Sequence, residues 1–160
     1  MKQLLLMTIL AFPIVSTAMS DSEYDQHQHR AEKYMSIYEQ AAAKYEVPLS
    51  VLVRMGAIES GYWKPSIVSG KHRSSHGAIG IAQFMPKTAK ALGVNPANPS
   101  SAIHGQARYL RMLYNQFKDW KYAVMAYNWG DGNLRKALKT KRKIPKQVKK
   151  YANFITKELN

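Results

Sequence analysis

The stretch Val47 to Trp63, reading Val-Pro-Leu-Ser-Val-Leu-Val-Arg-Met-Gly-Ala-Ile-Glu-Ser-Gly-Tyr-Trp, decides how the chain is read. Pro48 suits the first turn of a helix, where a missing N–H costs nothing. Leu49, Leu52, Met55 and Ile58 recur at helical spacing and make an apolar face. Gly61 is the expected stop. This helix delivers Glu59 to its own end, against Ser60, Gly61, Tyr62 and Trp63. The chain has only ten Asp and Glu, and Glu59 is the only acid between Glu46 and Asp119. A carboxyl beside apolar and aromatic groups is disfavoured as an anion and keeps its proton toward neutral pH, as a general acid must. The plain alternative is a solvated glutamate at a helix C-terminus, where the dipole opposes its charge. One residue does not choose between them.

Working outward, residues 21–30 are polar and read as a loose N-terminal stretch. Tyr34, Ile37, Tyr38, Ala41, Ala42 and Tyr45 then recur at helical spacing. Beyond Trp63, residues 65–80 read as a surface loop rich in Ser, Gly, His and Lys. A helical stretch is expected over residues 82–92, closed by Gly93, and a turn over 95–100. Ser101 is a candidate cap for a long helix striped with Ile103, Ala107, Leu110, Tyr114 and Phe117. Asp119 is the candidate cap of the next helix, which runs from Trp120 to Trp129 and ends at Gly130-Asp131-Gly132. A last helix sets Val148, Tyr151, Ala152, Ile155 and Leu159 on one side. Almost nothing alternates with strand period, so the expected fold is mainly α with little or no sheet.

Length and composition agree with one compact domain: 160 residues, 46% of them hydrophobic, can bury a core without staples. The absence of cysteine excludes disulfides, thiolate metal sites and a lipoprotein anchor. Lys2, the apolar run from Leu4 to Val15 and the small residues Ser16, Thr17, Ala18 and Ser20 read as a secretory signal peptide over residues 1–20. Cleavage is expected after Ala18 or Ser20. The run is shorter than the ~20 apolar residues that span a bilayer. No later segment spans one either. The expected location is therefore periplasmic or secreted, as a monomer. The formal charge of +14 favours polyanionic partners, and for an exported protein the anionic wall or a membrane surface comes before nucleic acid. Nine Lys and Arg lie between Arg135 and Lys150 with no acid among them. That strip is either a solvated face or an attachment to anionic polymers. His72 and His76 stand four apart, but in a basic loop without a carboxylate; they, like His27 and His29, read as solvated, and no metal or other cofactor is expected.

Two further motifs lie downstream of Glu59-Ser60. Gly80-Ile81-Ala82-Gln83-Phe84-Met85-Pro86 comes first, then Ala126-Tyr127-Asn128-Trp129-Gly130. In this order the three resemble the signatures of the soluble lytic transglycosylase family, whose domain is lysozyme-like: a Glu-Ser pair, a Gly-Leu-Met-Gln-Ile-Met-Pro-like segment and an Ala-Tyr-Asn-Ala-Gly segment. The resemblance covers residues 31–155. Ile81-Ala82 stands for the usual Leu-Met, and Trp129 for the usual Ala. Residues 144–151 look like the family's C-terminal Pro-x-Glu-Thr-x-x-Tyr element, with Gln147-Val148 in place of Glu-Thr and Tyr151 matching.

The resemblance implies roles residue by residue. Glu59 matches the catalytic acid/base and Gln83 a groove amide. Tyr127 matches the tyrosine whose hydroxyl approaches the acid, and Asn128 helps hold its segment. Ser69 falls near a substrate-orienting serine; Tyr151 and Trp129 border the substrate. Packing is the plainer role for Tyr127, Trp63 and Trp129, and a backbone-bonding helix start the plainer one for Gln83. The implied reaction cleaves peptidoglycan between N-acetylmuramic acid and N-acetylglucosamine and closes a 1,6-anhydro ring. It needs no second carboxylate, whereas most glycosidases place two roughly 5 to 9.5 Å apart. Lysozyme-type hydrolysis, an inactive glycan-binding scaffold and a basic membrane or nucleic-acid binder are the rival readings. The small size resembles accessory enzymes that open the wall for secretion systems, conjugation machinery or pili, and also phage lysis enzymes.

Overall fold

The computed structural model describes residues 21–159; the expected signal peptide at 1–20 lies outside them. Among the described residues there are eight helices: α1 Asp21–Tyr45, α2 Leu49–Glu59, α3 Pro65–Val68, α4 Pro86–Leu92, α5 Pro99–Phe117, α6 Trp120–Trp129, α7 Asp131–Thr140 and α8 Lys146–Ile155. No strand forms among them, only a single antiparallel bridge between Ile79 and Phe84. No helix of the described residues is long and apolar enough to cross a membrane.

Helix α6 is the hub. Ala123, Val124, Met125, Ala126, Tyr127 and Asn128 are all buried on it, so it is apolar nearly all round. Such a helix must be wrapped, and it packs against α5, α7 and α8. Helix α1 lies across α5 and α2, and α2 in turn meets α8. The α1–α2 crossing is close because Gly56 has no side chain. A Cβ there would stand 1.8 Å from the Tyr38 hydroxyl. Arg54 pairs with Glu158 and so ties α2 to the chain just past α8.

Several expected elements shift. The polar stretch 21–30 is not loose; it extends α1 by more than two turns. Glu23, Gln26, Gln28 and Arg30 are residue types that favour helix, and the packed C-terminal half of α1 supplies the nucleus. The helical stretch expected over 82–92 begins only at Pro86, because Gly80 and Gln83 take positive φ values of 76° and 48°. Ser101 does not cap α5. Asn98 does, accepting from the Ser101 N–H at 2.9 Å, while the Ser101 hydroxyl accepts from Asn95. The loop 65–80 contains the short α3. Gly130-Asp131-Gly132 ends α6 but also starts α7, a helix the composition concealed because its exposed positions are mostly Lys, Arg and Gly. Asp119 caps α6 as expected, accepting from the Tyr122 N–H at 2.8 Å. Leu159 lies past the end of α8 and is 40% exposed, so it does not share the buried face of Val148, Tyr151, Ala152 and Ile155.

Candidate active site

Helix α2 ends on Glu59, and beyond Ser60 the backbone turns at a conformational cost. Gly61, Tyr62 and Trp63 all take the left-handed conformation, with φ values of 58°, 58° and 55°. Residues with a Cβ usually visit that region singly, at roughly 1 to 2 kcal/mol each. Ser60 helps hold the turn. Its hydroxyl donates to the Gly56 carbonyl at 2.6 Å and accepts from the Trp63 N–H at 2.8 Å. The Tyr62 N–H reaches back to Ala57 at 2.7 Å, and the Trp63 indole donates to the Tyr38 hydroxyl at 3.3 Å. The Glu-Ser pair thus has a structural meaning: the serine fixes the sharp exit that leaves the acid at the helix end. Trp63 itself is buried in the core.

Glu59 is 8% exposed. The Tyr151 hydroxyl donates to its Oε1 at 2.6 Å, across 92 residues of sequence. Burial pushes the carboxyl up to about 8, against which the Tyr151 hydrogen bond pulls only in part. The solvated-glutamate alternative is therefore not the arrangement adopted. Among the described residues no second carboxylate contributes to the shift. Asp119 is occupied as the cap of α6, and Asp131 pairs with Arg135 at 3.0 Å.

Tyr127 is buried and close enough to Glu59 for the carboxylate's charge to raise its pKa, after the larger effect of burial. Its hydroxyl, though, donates to the Ala82 carbonyl at 2.8 Å. The direct hydrogen bond to the acid belongs to Tyr151, whereas the family resemblance points to Tyr127. Tyr127 instead pins the Gly80–Phe84 turn to α6 and stacks edge-on against Phe84 at 6.1 Å. Gln83 is buried in that turn, and its Nε2 donates to the Gly80 carbonyl at 2.9 Å, so its amide nitrogen serves the backbone. Asn128 is 2% exposed and its Nδ2 has no hydrogen-bond partner among the described residues. Trp129 is half-buried against the core. Ser69 is exposed, stands at the C-terminal cap of α3 and donates to the Ser66 carbonyl at 3.3 Å. Ile81 and Ala82, the departures from the usual Leu-Met, are fully buried packing residues.

One member of the group is not singled out by the sequence. Gln106 is fully buried on α5 within the stripe of Ile103, Ala107 and Leu110. Neither of its amide atoms has a well-aligned hydrogen bond among the described residues, yet the amide stands near enough to the Tyr127 hydroxyl to favour its ionised form. Because the Tyr127 proton is directed at Ala82, this is a polar contact and not a full bond. The signal available was an amide at an apolar position of a helical stripe.

The Gly80 turn allows one stability prediction. A Cβ on Gly80 would lie 1.7 Å from the Pro96 carbonyl oxygen, at a φ of 76° that side chains resist. Gly80→Ala is expected to cost about 3 kcal/mol or more, seen as a fall in Tm together with loss of activity. An unchanged Tm would show that the turn is not held as described. A separate apolar cavity of about 430 Å³ opens between α1, α2 and α8, lined by Ala31, Met35, Val53 and Phe154 among others. None of Glu59, Gln83, Tyr127 or Tyr151 lines it.

A buried carboxyl at a helix end, raised to about 8 by burial and hydrogen-bonded by a tyrosine, has the features that general-acid chemistry requires. The chain belongs to the transglycosylase SLT domain family, whose family model matches residues 36–150. It is 32% identical over 131 residues to the membrane-bound lytic murein transglycosylase F of Pseudomonas fluorescens (strain Pf0-1), covering 76% of this chain and 26% of that one. The chain thus spans about a quarter of the length of that relative. The 70-kDa soluble lytic transglycosylase in complex with bulgecin A shares the fold, with a TM-score of 0.65 and 24% identity over 82% of this chain and 24% of that chain. So does an inactive Glu-to-Gln mutant of the lytic transglycosylase Slt from Pseudomonas aeruginosa, with a TM-score of 0.57 and 24% identity over 78% of this chain and 24% of that chain.

Proposed function

We propose that this chain is an exported peptidoglycan lytic transglycosylase in which Glu59 acts alone, first as acid and then as base. The observation that carries this reading is a buried carboxyl, hydrogen-bonded by Tyr151 and pushed up to about 8 by burial, in a member of the SLT family. Glu59 gives its proton to the glycosidic oxygen as the bond from muramyl C1 to that oxygen breaks. The carboxylate so formed takes the proton of the muramyl 6-hydroxyl, whose oxygen bonds to C1 and closes the anhydro ring. The proton returns to Glu59, and no water is consumed. Among the described residues no second carboxylate influences Glu59, which supports this route, since direct hydrolysis pairs an acid with a nucleophile or base. The Glu-to-Gln change that leaves the Pseudomonas aeruginosa relative inactive agrees with it. Asn128, Trp129 and Gln83 are proposed to border the sugars, and Tyr151 to orient the acid.

The test is the mass of the muropeptides that the chain releases from purified peptidoglycan. Products one water lighter than reducing-end fragments are expected. Reducing ends would mean lysozyme-type hydrolysis, and no release at all would leave a glycan-binding scaffold. Activity should also fall as pH rises through about 8, where Glu59 loses its proton.

A further inference from the structure

The basic strip becomes a defined shape once α7 and α8 are in place. The segment from Asp131 to Lys150 leaves the candidate site directly after Asn128, Trp129 and Gly130, forms α7, turns through residues 141–145 and returns along α8 to Tyr151. The excursion thus runs between two residues tied to Glu59: Tyr127, four positions before it, which feels the charge of the carboxylate, and Tyr151, directly after it, which is hydrogen-bonded to the carboxylate. All nine of its Lys and Arg are exposed. Its only acid is Asp131, paired with Arg135 at 3.0 Å. Among the described residues no other cation of the segment has an acidic partner. Self-repulsion at this density costs stability, and the fold does not relieve it internally.

We infer that the α7–α8 excursion is an electrostatic docking surface for the acidic peptide stems that the glycan strand carries. This rests on the peptidoglycan reading given above. The cations are exposed and spread along two helices and the turn between them, so the surface suits a flexible ligand with repeated charges more than a single phosphate. Seven of the nine are lysines, which act as point charges without the planar fork of arginine. Leu138 is the one large apolar side chain exposed within residues 131–150, and Phe154 follows further along α8, whereas insertion into a lipid surface needs a continuous apolar face. Because the segment begins four residues after Tyr127 and ends next to Tyr151, a ligand held near those ends lies close to Glu59. In peptidoglycan the charges in that position are the carboxylates of peptides attached to each muramic acid.

The experiment measures sedimentation of the Glu59→Gln protein with insoluble peptidoglycan, so that nothing is cleaved. Stem-free glycan strands released by an amidase, immobilised on beads because without their peptide cross-links they no longer sediment, and vesicles of mixed phosphatidylcholine and phosphatidylglycerol, are run beside it. Binding to stem-bearing polymer is expected to be about ten-fold tighter than to stripped polymer, and to lose that margin at about 0.5 M salt, where the screening length drops to ~4 Å. Adding Lys139→Gln, Arg142→Gln, Lys146→Gln and Lys149→Gln together should abolish the margin. The charge-keeping set Lys139→Arg, Arg142→Lys, Lys146→Arg and Lys149→Arg should retain it, which separates charge from misfolding. Equal binding to both polymers, tighter binding to vesicles, or an unaltered margin in the charge-removing set would each overturn the inference. The catalytic reading fails differently: the unmodified chain would then release no anhydro sugar from either polymer, whatever the sedimentation shows.

Discussion

Glu59→Gln is expected to abolish glycan cleavage, by at least about a thousand-fold, because the single group that both gives and takes the proton is lost. The same substitution is expected to make the protein more stable. Glu59 has a folded pKa near 8 against an ordinary 4.5, so the folded chain holds a proton that the unfolded chain releases between those values. Its favourable contribution is complete below about pH 4.5 and is lost as pH rises through about 8. At neutral pH the buried carboxyl then costs on the order of 3 kcal/mol relative to acid conditions. A glutamine of the same shape carries no such penalty, and at about 2 to 4 °C per kcal/mol its Tm should be roughly 8 °C higher at pH 7. The gap should shrink toward pH 4 and widen toward pH 9. Thermal unfolding of both proteins across that range checks it. A Glu59→Gln protein that melts below the parent at pH 8 would mean that the acid is not desolvated as described.

Tyr151→Phe carries the second large effect, and it separates positioning from packing. The Tyr151 hydroxyl is hydrogen-bonded to Glu59 Oε1 at 2.6 Å and favours the carboxylate. Removing it leaves burial unopposed, so the Glu59 pKa should rise further and the alkaline limb of kcat/KM should move to higher pH. Turnover should fall by about a hundred-fold, since the charge that forms on Glu59 when it gives up its proton loses its one directed donor. Stability should change by only about 1 to 3 kcal/mol in either direction, because an oxygen is deleted without leaving a large cavity. A purely structural tyrosine would lower activity and Tm together and leave the pH limb in place. That outcome would remove Tyr151 from the proposed mechanism.

Some of this site is legible in the chain without coordinates. Glu59 can be singled out because acids are scarce and because the apolar period of α2 runs directly into it. Asp119 can be read as a cap, since capping depends on groups within three residues of one another. The burial of Tyr38, Ala41, Leu52, Met55, Ile103 and Leu110 agrees with helical spacing alone. What misleads is local composition. Residues 21–30 and 131–140 are polar, and polarity speaks for solvent exposure without saying whether the backbone is helical. Both segments are helices, stabilised by what their neighbours bury.

The sequence by itself determined the helical class, the ends of α2 and α6, and the isolation of one carboxylate, because each depends on spacing within a few residues. Only the tertiary structure decided which tyrosine holds that carboxylate. It put the Tyr151 hydroxyl on Glu59 and turned the Tyr127 hydroxyl to Ala82, and it committed the Gln83 amide nitrogen to its own turn. Residues 92 positions apart meet through the packing of α8 on α2, and a one-dimensional pattern carries no record of the angle at which two helices cross. Desolvation is likewise a property of everything packed around a group. The raised pKa of Glu59 is therefore a consequence of the whole fold.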